Sequence, residues 1–314
     1  GSGLYEFLDD QCVKRWNPSN SIIGAAAADN PGRYTRLDGA IYDAQGNLWM
    51  MNTGNIDYNI VIFTADGKQV GMNVNQADGS RFIINTAGQF IFDKRHPNLV
   101  WALVPRGNET EAGLALIDTK GTIANTQDDR TLIRIRWTDQ EGNSLTRTAI
   151  YAMRQDKDAN IWLATNNGIM IIPASEDYFT SDKCQVLHLT NNEDLPIFDE
   201  EVVNDIVFDR LDRPWIAMQS TGVYVLSADG TAIEEHFTMD NSALPANTIL
   251  SLAYDASNRC MYVGSSLGLV AYHERGTGFE GDAESHNEPV DYGSMMQWTT
   301  HLAYADIEDI QLSS

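Results

Sequence analysis

The sequence predicts an all-β fold, and specifically a β-propeller built from four-stranded antiparallel blades. Short runs of β-branched and aromatic residues alternate with turns rich in Asp, Asn and Gly, which is typical of strands joined by hairpins. A unit with a leading Asp, a polar turn and an aromatic-led strand also recurs, with a period of about fifty residues. A repeat of that length with several strands per unit is typical of propeller blades.

The clearest unit runs from Thr148 to Pro173. Its predicted parts are a first strand, a polar turn, a second strand led by Trp162, a tight turn and a third strand: Ala149–Met153, Asp156–Asn160, Ile161–Thr165, Asn166–Gly168 and Ile169–Ile172. First strands are predicted in all five units at 39–42, 89–92, 149–153, 203–208 and 249–254. Because apolar residues dominate these strands, we expect both of their faces to be buried between neighbouring sheets.

Each unit places one aromatic residue at a fixed distance from its leading Asp. The leading residues are Asp43, Asp93, Asp156, Asp209 and Asp255, and the aromatics are Trp49, Trp101, Trp162, Trp215 and Tyr262. We expect these wide side chains to fill the gaps between twisted blades, each contributing roughly 2–3 kcal/mol by burial. The alternative, in which the aromatics form a ligand platform, is the weaker interpretation because repeats specify interfaces first.

The chain ends predict how the ring closes. Leu4–Phe7 and Val13–Trp16 resemble the third and fourth strands of a blade, and Trp298–Tyr304 and Ile307–Leu312 regain strand character. We therefore expect residues 296–314 to supply inner strands to the blade that opens the chain, which removes both open edges. Six blades are counted, and seven are expected if a degenerate blade lies in residues 17–40 or 121–147. The whole chain, residues 1–314, is predicted to be one domain with a long acidic surface loop at 274–295.

Composition excludes some classes of function. The formal net charge is −23 and the isoelectric point is about 4.4, which argues against nucleic acid and against anionic membrane surfaces as partners. The three cysteines are too widely spaced for a zinc site or a disulfide framework. No run of eighteen apolar residues is present, so neither a transmembrane helix nor a signal peptide is expected.

Three short motifs resemble catalytic or binding signatures, and each has a simpler interpretation. Gly264–Gly268 matches GxSxG but falls between two predicted strands, where a hydrolase would need a strand-to-helix elbow. Gly276–Gly281 matches GxGxxG inside the acidic loop, and Asp156–Asn160 begins like a calcium loop but lacks its Gly and Glu. The six histidines have no metal-ligand spacing. No catalytic, cofactor-binding or metal residue is therefore predicted, and no cofactor is expected.

The units D-A-Q-G-N-L-W-M-M-N-T-G and D-K-D-A-N-I-W-L-A-T-N-N-G-I resemble two-component-regulator propeller repeats, over about residues 36–272. Departures from the pattern are Pro97 with its longer turn, Arg213-Pro214 in place of Gly-Asn, and Tyr262 in place of Trp. The resemblance implies an extracytoplasmic protein of Bacteroidetes. Such repeats occur in periplasmic sensor regions of hybrid two-component systems and in PorZ-like propeller proteins linked to type IX secretion.

The expected function is binding or scaffolding without catalysis. The expected partner is a saccharide, a lipopolysaccharide-like ligand or a protein. The default site is the channel mouth, where loops at one end of a propeller converge. The rival hypothesis is a propeller enzyme of the polysaccharide lyase or glycosidase type, with carboxylates or a metal at that mouth.

Overall fold

A computed structural model describes the chain except for residues 1–2, 28–33, 56, 76–78, 80–81, 83, 85–87, 105–112, 135–136, 146–147, 176, 180–183, 186, 192, 194, 196, 275–297, 304–309 and 311–314. The described residues form 25 strands in seven sheets. Among them there is no helix long and apolar enough to cross a membrane. The chain divides into two compact units, one formed by Gly1–Ile150 with Ala174–Val186 and one formed by Tyr151–Pro173 with Leu187–Ser314.

The first unit contains four sheets. A two-stranded hairpin is formed by β1 (Leu4–Leu8) and β2 (Gln11–Trp16). The next sheet contains β3 (Arg36–Tyr42), β4 (Leu48–Thr53), β5 (Ile60–Phe63) and β6 (Gln69–Met72). It is followed by β7 (Phe90–Phe92), β8 (Leu99–Val104), β9 (Gly113–Asp118) and β10 (Arg130–Arg134). The last sheet contains β11 (Trp137–Thr138), β12 (Ser144–Leu145) and β16 (Cys184–Gln185).

The second unit contains three four-stranded sheets. The first contains β13 (Ile150–Gln155), β14 (Ile161–Thr165), β15 (Gly168–Ile172) and β17 (Leu187–His188). The second contains β18 (Val203–Phe208), β19 (Pro214–Met218), β20 (Val223–Leu226) and β21 (Ile233–Phe237). The third contains β22 (Ile249–Asp255), β23 (Cys260–Ser265), β24 (Gly268–His273) and β25 (Trp298–Ala303).

Each four-stranded sheet is an up-and-down meander of the kind that forms a propeller blade. The predicted all-β propeller fold is therefore confirmed, with first strands within a few residues of their predicted positions. The sheet of β11, β12 and β16 differs, because it has three strands and because β11 pairs in parallel with β16. It lies partly in the window where a degenerate blade was expected. The count of six or seven blades and the single domain over 1–314 stay predictions.

Burial is deepest in the second strand of each blade, not in the first. Every residue of β8, β14 and β19 is buried, whereas the first strand β3 is partly exposed along its length. Tyr42, at the end of β3, is 67% exposed. The expectation that first strands are buried on both faces is therefore wrong for β3, where Ile41 and Tyr42 remain exposed although they pair with Trp49 and Leu48 of β4.

The repeated tryptophans pack between blades, as predicted. Trp49 lies 5.7 Å from the ring of Phe92 in the next sheet, and Trp162 lies 5.5 Å from Phe208 in the sheet that follows it. Trp215 is buried against Tyr272 at 5.1 Å. Edge-to-face and tilted contacts of this kind add to the free energy gained by removing the rings from water. The core of each unit therefore lies between consecutive sheets.

The prediction for the C-terminal strands is wrong in part. The segment expected to supply an inner strand forms β25, the fourth strand of the last blade, and pairs with β24. Trp298 is buried against Phe237 and Tyr272, so its aromatic side chain fixes the strand in this place. Residues 304–309 and 311–314 and most of the acidic loop at 274–295 lie outside the described residues. Ring closure stays a prediction.

Candidate functional site

The leading Asp of each unit organises the turn between the first two strands. In the second sequence repeat, Asp93 Oδ1 accepts hydrogen bonds from the backbone N–H groups of Arg95 and His96. Its Oδ2 accepts one from the indole N–H of Trp101 at 2.8 Å. One carboxylate therefore fixes the turn to the blade core. Local bonding of this kind is the reason that Asp is favoured in turns.

The same indole bond recurs in three other sequence repeats. The indole N–H groups of Trp49, Trp162 and Trp215 donate to Asp43, Asp156 and Asp209 at 3.0, 2.9 and 3.1 Å. In the last repeat, where Tyr262 replaces Trp, the hydrogen bonds of Asp255 to described residues lie within its own turn, to Ser257 and Asn258. The Asp and the Trp of the motif therefore form a hydrogen bond with each other, in addition to the packing of the Trp in the core.

A cavity of about 390 Å³ lies beside the Asp93 turn, within the first unit. We call it the Asn98 cavity. Its lining combines the turn, three strand residues and a segment that follows β15: Arg95, His96, Pro97, Asn98, Leu99, Asp118, Arg130, Asp177, Tyr178 and Phe179. The turn is two residues longer than in the clearest unit, and this extra length provides the wall that carries the Asn98 side chain.

The opposite wall is anchored through Tyr178. Its buried ring lies 4.8 Å from Trp101 and 5.7 Å from His96, both in edge-to-face contact. Its hydroxyl accepts the backbone N–H of Ser175 at 3.0 Å, and its carbonyl accepts a hydrogen bond from Arg134. His96 Nε2 lies 2.7 Å from the Ser175 carbonyl, which fixes this nitrogen as the donor. The two walls are therefore joined by packing and by hydrogen bonds.

Two of the four charged side chains that line the cavity, Arg130 and Asp118, lie opposite each other on neighbouring strands. The guanidinium of Arg130 lies over the ring of Phe179, 4.3 Å from its centroid. Asp118, which pairs with Arg130 across the strands, accepts hydrogen bonds from the backbone N–H and Nζ of Lys120. Burial alone would raise the pKa of Asp118, but the hydrogen bonds from Lys120 and the charge of Arg130 hold it below its usual value. Asp118 therefore remains ionised.

A second cavity of about 360 Å³ lies in the second unit, beside the Asp209 turn. Here the charged side chains bond to one another. Buried Glu274 accepts from Arg210 and from the hydroxyl of Tyr254, and Arg213 bonds to both Asp209 and Glu234. Burial and the hydrogen bond to Glu274 raise the pKa of Tyr254 to about 12. These pairings occupy three of the four charged side chains that line this cavity, Arg210, Arg213 and Glu274.

The GxSxG serine is a turn residue. Ser265 is fully buried, its Oγ donates to the carbonyl of Gly268 at 2.8 Å, and it accepts the N–H of Leu267 at 3.3 Å. Thr165 makes the same bond to Gly168 at 2.9 Å in the corresponding hairpin. The GxSxG match therefore marks the hairpin between the second and third strands.

The calcium-like stretch is also a turn. Both oxygens of Asp156 accept hydrogen bonds, from the backbone N–H groups of Asp158 and Asn160 and from the side chains of Asn160 and Trp162. The GxGxxG match at 276–281 lies outside the described residues. Within the part of the chain that is described, no three His, Cys, Asp or Glu side chains are grouped so as to hold a metal ion.

The Asn98 cavity was not predicted from the sequence, although two departures of the sequence from the repeat pattern lie at cavities. The longer turn with Pro97 forms one wall of the Asn98 cavity, and the Arg213-Pro214 departure lies at the second cavity. The channel-mouth site stays a prediction.

Comparison with known proteins gives one informative similarity. Over 90% of its length, with 28% identity and a TM-score of 0.76, the fold matches PorZ, an essential bacterial surface component of the type-IX secretion system of Porphyromonas gingivalis. The chain is similar to PorZ. The predicted resemblance to PorZ-like propeller proteins is thereby confirmed. The chain spans 37% of the PorZ chain that it matches. No protein-family model and no curated protein sequence matches it.

Two further structures are more distant. The extracellular domain of the hybrid two-component system BT4673 from B. thetaiotaomicron matches with 16% identity and a TM-score of 0.41, covering 78% of this chain and 32% of that one. The gluconolactonase XC5397 from Xanthomonas campestris matches with 13% identity and a TM-score of 0.42, covering 73% of this chain and 69% of that one. Similarities of this size carry no argument about function.

Proposed function

We propose that the chain is a non-catalytic, extracytoplasmic propeller module that binds a saccharide or a protein partner at a bacterial surface, in a role like that of PorZ. The observation that carries the proposal is the 28% identity to PorZ sustained over 90% of the chain. PorZ is a surface component of type IX secretion, so the corresponding place for this chain is a surface assembly of the same kind.

The chain corresponds to 37% of the PorZ chain. The proposal therefore concerns recognition by this module and not the activity of a whole PorZ-like protein. A propeller module presents turns and loops on a rigid scaffold, which suits it to binding. The side chains that sequence motifs single out have structural roles here: Ser265 closes a hairpin and Asp156 fixes a turn. These roles favour a binding module over the lyase or glycosidase hypothesis.

Deletion of the encoding gene in the native bacterium tests this role. The expected result is that proteins carrying the type IX export signal accumulate in the periplasm, and that a plasmid copy of the gene restores their export. Protease treatment of intact cells should cleave the restored protein, because the module is placed at the surface. Normal export in the deletion strain would overturn the PorZ-like role.

A further inference from the structure

We infer that the Asn98 cavity binds one neutral hexose unit of a saccharide. This inference rests on the proposed binding function and names the ligand class and the site. The volume of about 390 Å³ falls within the range of roughly 300–1,000 Å³ that small-ligand sites occupy. Three features of the cavity point to a sugar: unused hydrogen-bonding groups, balanced charge and a fixed geometry.

The cavity contains polar side chains whose hydrogen-bonding capacity is unused. Among the described residues, neither the carboxamide of Asn98 nor the guanidinium of Arg130 makes a hydrogen bond through its side chain. His96 donates through Nε2 to the Ser175 carbonyl, so its Nδ1 is an acceptor in the neutral ring. The cavity therefore offers donors and acceptors side by side. A sugar hydroxyl, which both donates and accepts, matches such a set.

The charge of the lining favours a neutral ligand. Arg95 and Arg130 contribute two positive charges, and Asp118 and Asp177 contribute two negative ones. The rest of the chain is strongly acidic, with a net charge of −23. An anionic sugar would be repelled by that field without a compensating excess of cations at the site. A neutral hexose has no such cost.

The side chains on the wall opposite Asn98 are held in place before a ligand arrives. Arg130 lies against the ring of Phe179, and the Phe179 backbone N–H donates to Asp177 at 2.8 Å. Tyr178 is fixed between Trp101 and His96. Groups that are already ordered lose little conformational entropy on binding, which favours affinity.

The second cavity, beside Asp209, provides an internal comparison. It is of similar volume and lies at the corresponding turn, but Arg210, Arg213 and Glu274 bond to neighbouring side chains there. A ligand would have to break those pairs before binding. In the Asn98 cavity the side chains of Asn98 and Arg130 can bond to a ligand without breaking such a pair, so we place the sugar there.

The test is isothermal titration of the full chain with maltotetraose, cellotetraose and mannotetraose, with tetragalacturonate as the charged comparison. We expect at least one neutral oligosaccharide to bind, and tetragalacturonate to bind more weakly. Asn98→Ala should weaken binding roughly fivefold and Arg130→Met about tenfold, since each removes hydrogen-bonding groups that face the sugar. Lys68→Met, which removes the same charge at an exposed turn, should leave the affinity unchanged.

Asn98 is exposed, so Asn98→Ala should keep the melting temperature of the parent and remain interpretable if Arg130→Met folds poorly. Neutral saccharide binding with the parent affinity in Asn98→Ala would overturn the site but leave the binding function standing. Equal or tighter binding of tetragalacturonate would overturn the neutral ligand class. If no oligosaccharide binds, the inference is overturned, while the secretion phenotype of the gene deletion still decides the proposed function separately.

Discussion

Asp93 accepts a hydrogen bond from the indole nitrogen of Trp101 at 2.8 Å, and both side chains are buried. The bond connects the surface turn that carries Asn98 to the centre of the blade. Three other units contain the same bond, and the last unit, with Tyr262, lacks it. The repeat therefore specifies turn geometry and core packing through one pair of residues.

We predict that Trp101→Phe destabilises the protein by about 2–4 kcal/mol, because it removes buried volume and leaves the buried Asp93 carboxylate without its indole donor. Urea unfolding followed by fluorescence and circular dichroism measures the change. Tyr262→Phe is the comparison, because the hydrogen bonds of Asp255 to described residues stay within its own turn and the hydroxyl that this substitution removes interacts with Cys260 instead. Equal costs for the two substitutions would show that the indole bond is unimportant.

Ser265 provides a second test. Ser265→Ala should lower the free energy of unfolding by about 1 kcal/mol, through loss of the bond to the Gly268 carbonyl. Ser265→Thr should have a smaller effect, because Thr165 makes the same bond in the corresponding hairpin. A fluorophosphonate probe should not label the parent protein. Labelling that disappears in Ser265→Ala would contradict the turn role.

A third prediction concerns pH. Both carboxylate oxygens of Asp129 are buried and have no hydrogen-bond partner among the residues that the structure describes. Burial, with the charges of Asp128 and Asp118, raises the pKa of Asp129 to about 6. The folded state therefore holds this proton more tightly than the unfolded state. This contribution to stability is full below the ordinary pKa of 3.8 and is lost as the pH rises through about 6.

Asp129→Asn should therefore make the protein more stable than the parent at pH 8, with a smaller difference at pH 4.5. Denaturant unfolding at both pH values measures the two differences. Asp128→Asn, an exposed neighbour, is the control and should give a smaller change. If the difference in stability between the parent and Asp129→Asn is the same at both pH values, the raised pKa of Asp129 is contradicted.

The fourth prediction concerns the last strand. Trp298→Ala should cost about 3–5 kcal/mol, because Trp298 packs against Phe237 and Tyr272 in the core of the second unit. Thr300→Ala, at an exposed position of the same strand, is the control. Deletion of residues 296–314 should also lower the melting temperature sharply. An unchanged melting temperature after Trp298→Ala would place the strand elsewhere.

The sequence was sufficient for the blades, because the periodic Asp and aromatic residues determine local turns and strands. It was insufficient at Trp298, since the strand character of this segment does not reveal which neighbour it pairs with. It also missed the turn at Asp139, where Asn143 donates to the carboxylate through its backbone N–H and its side chain, as Asn47 and Asn160 do at Asp43 and Asp156. The residue six positions after Asp139 is Leu145, so the aromatic that marks the other units is missing.

The Asn98 cavity could not be predicted for a different reason. Its second wall comes from Asp177, Tyr178 and Phe179, about eighty residues away along the chain, and nothing in the repeat pattern links them to the Asp93 turn. The longer turn with Pro97 was visible as a departure, but its consequence depends on the tertiary contact between Tyr178 and Trp101.

The central claim is that the module binds a ligand without converting it. The most direct measurement is a ligand-observed NMR time course of the chain with the neutral oligosaccharides. We expect saturation transfer to one of the sugars, with anomeric signals that stay constant over a day. Reducing-end or unsaturated-product signals that grow in proportion to the protein concentration would contradict it and support the lyase or glycosidase hypothesis.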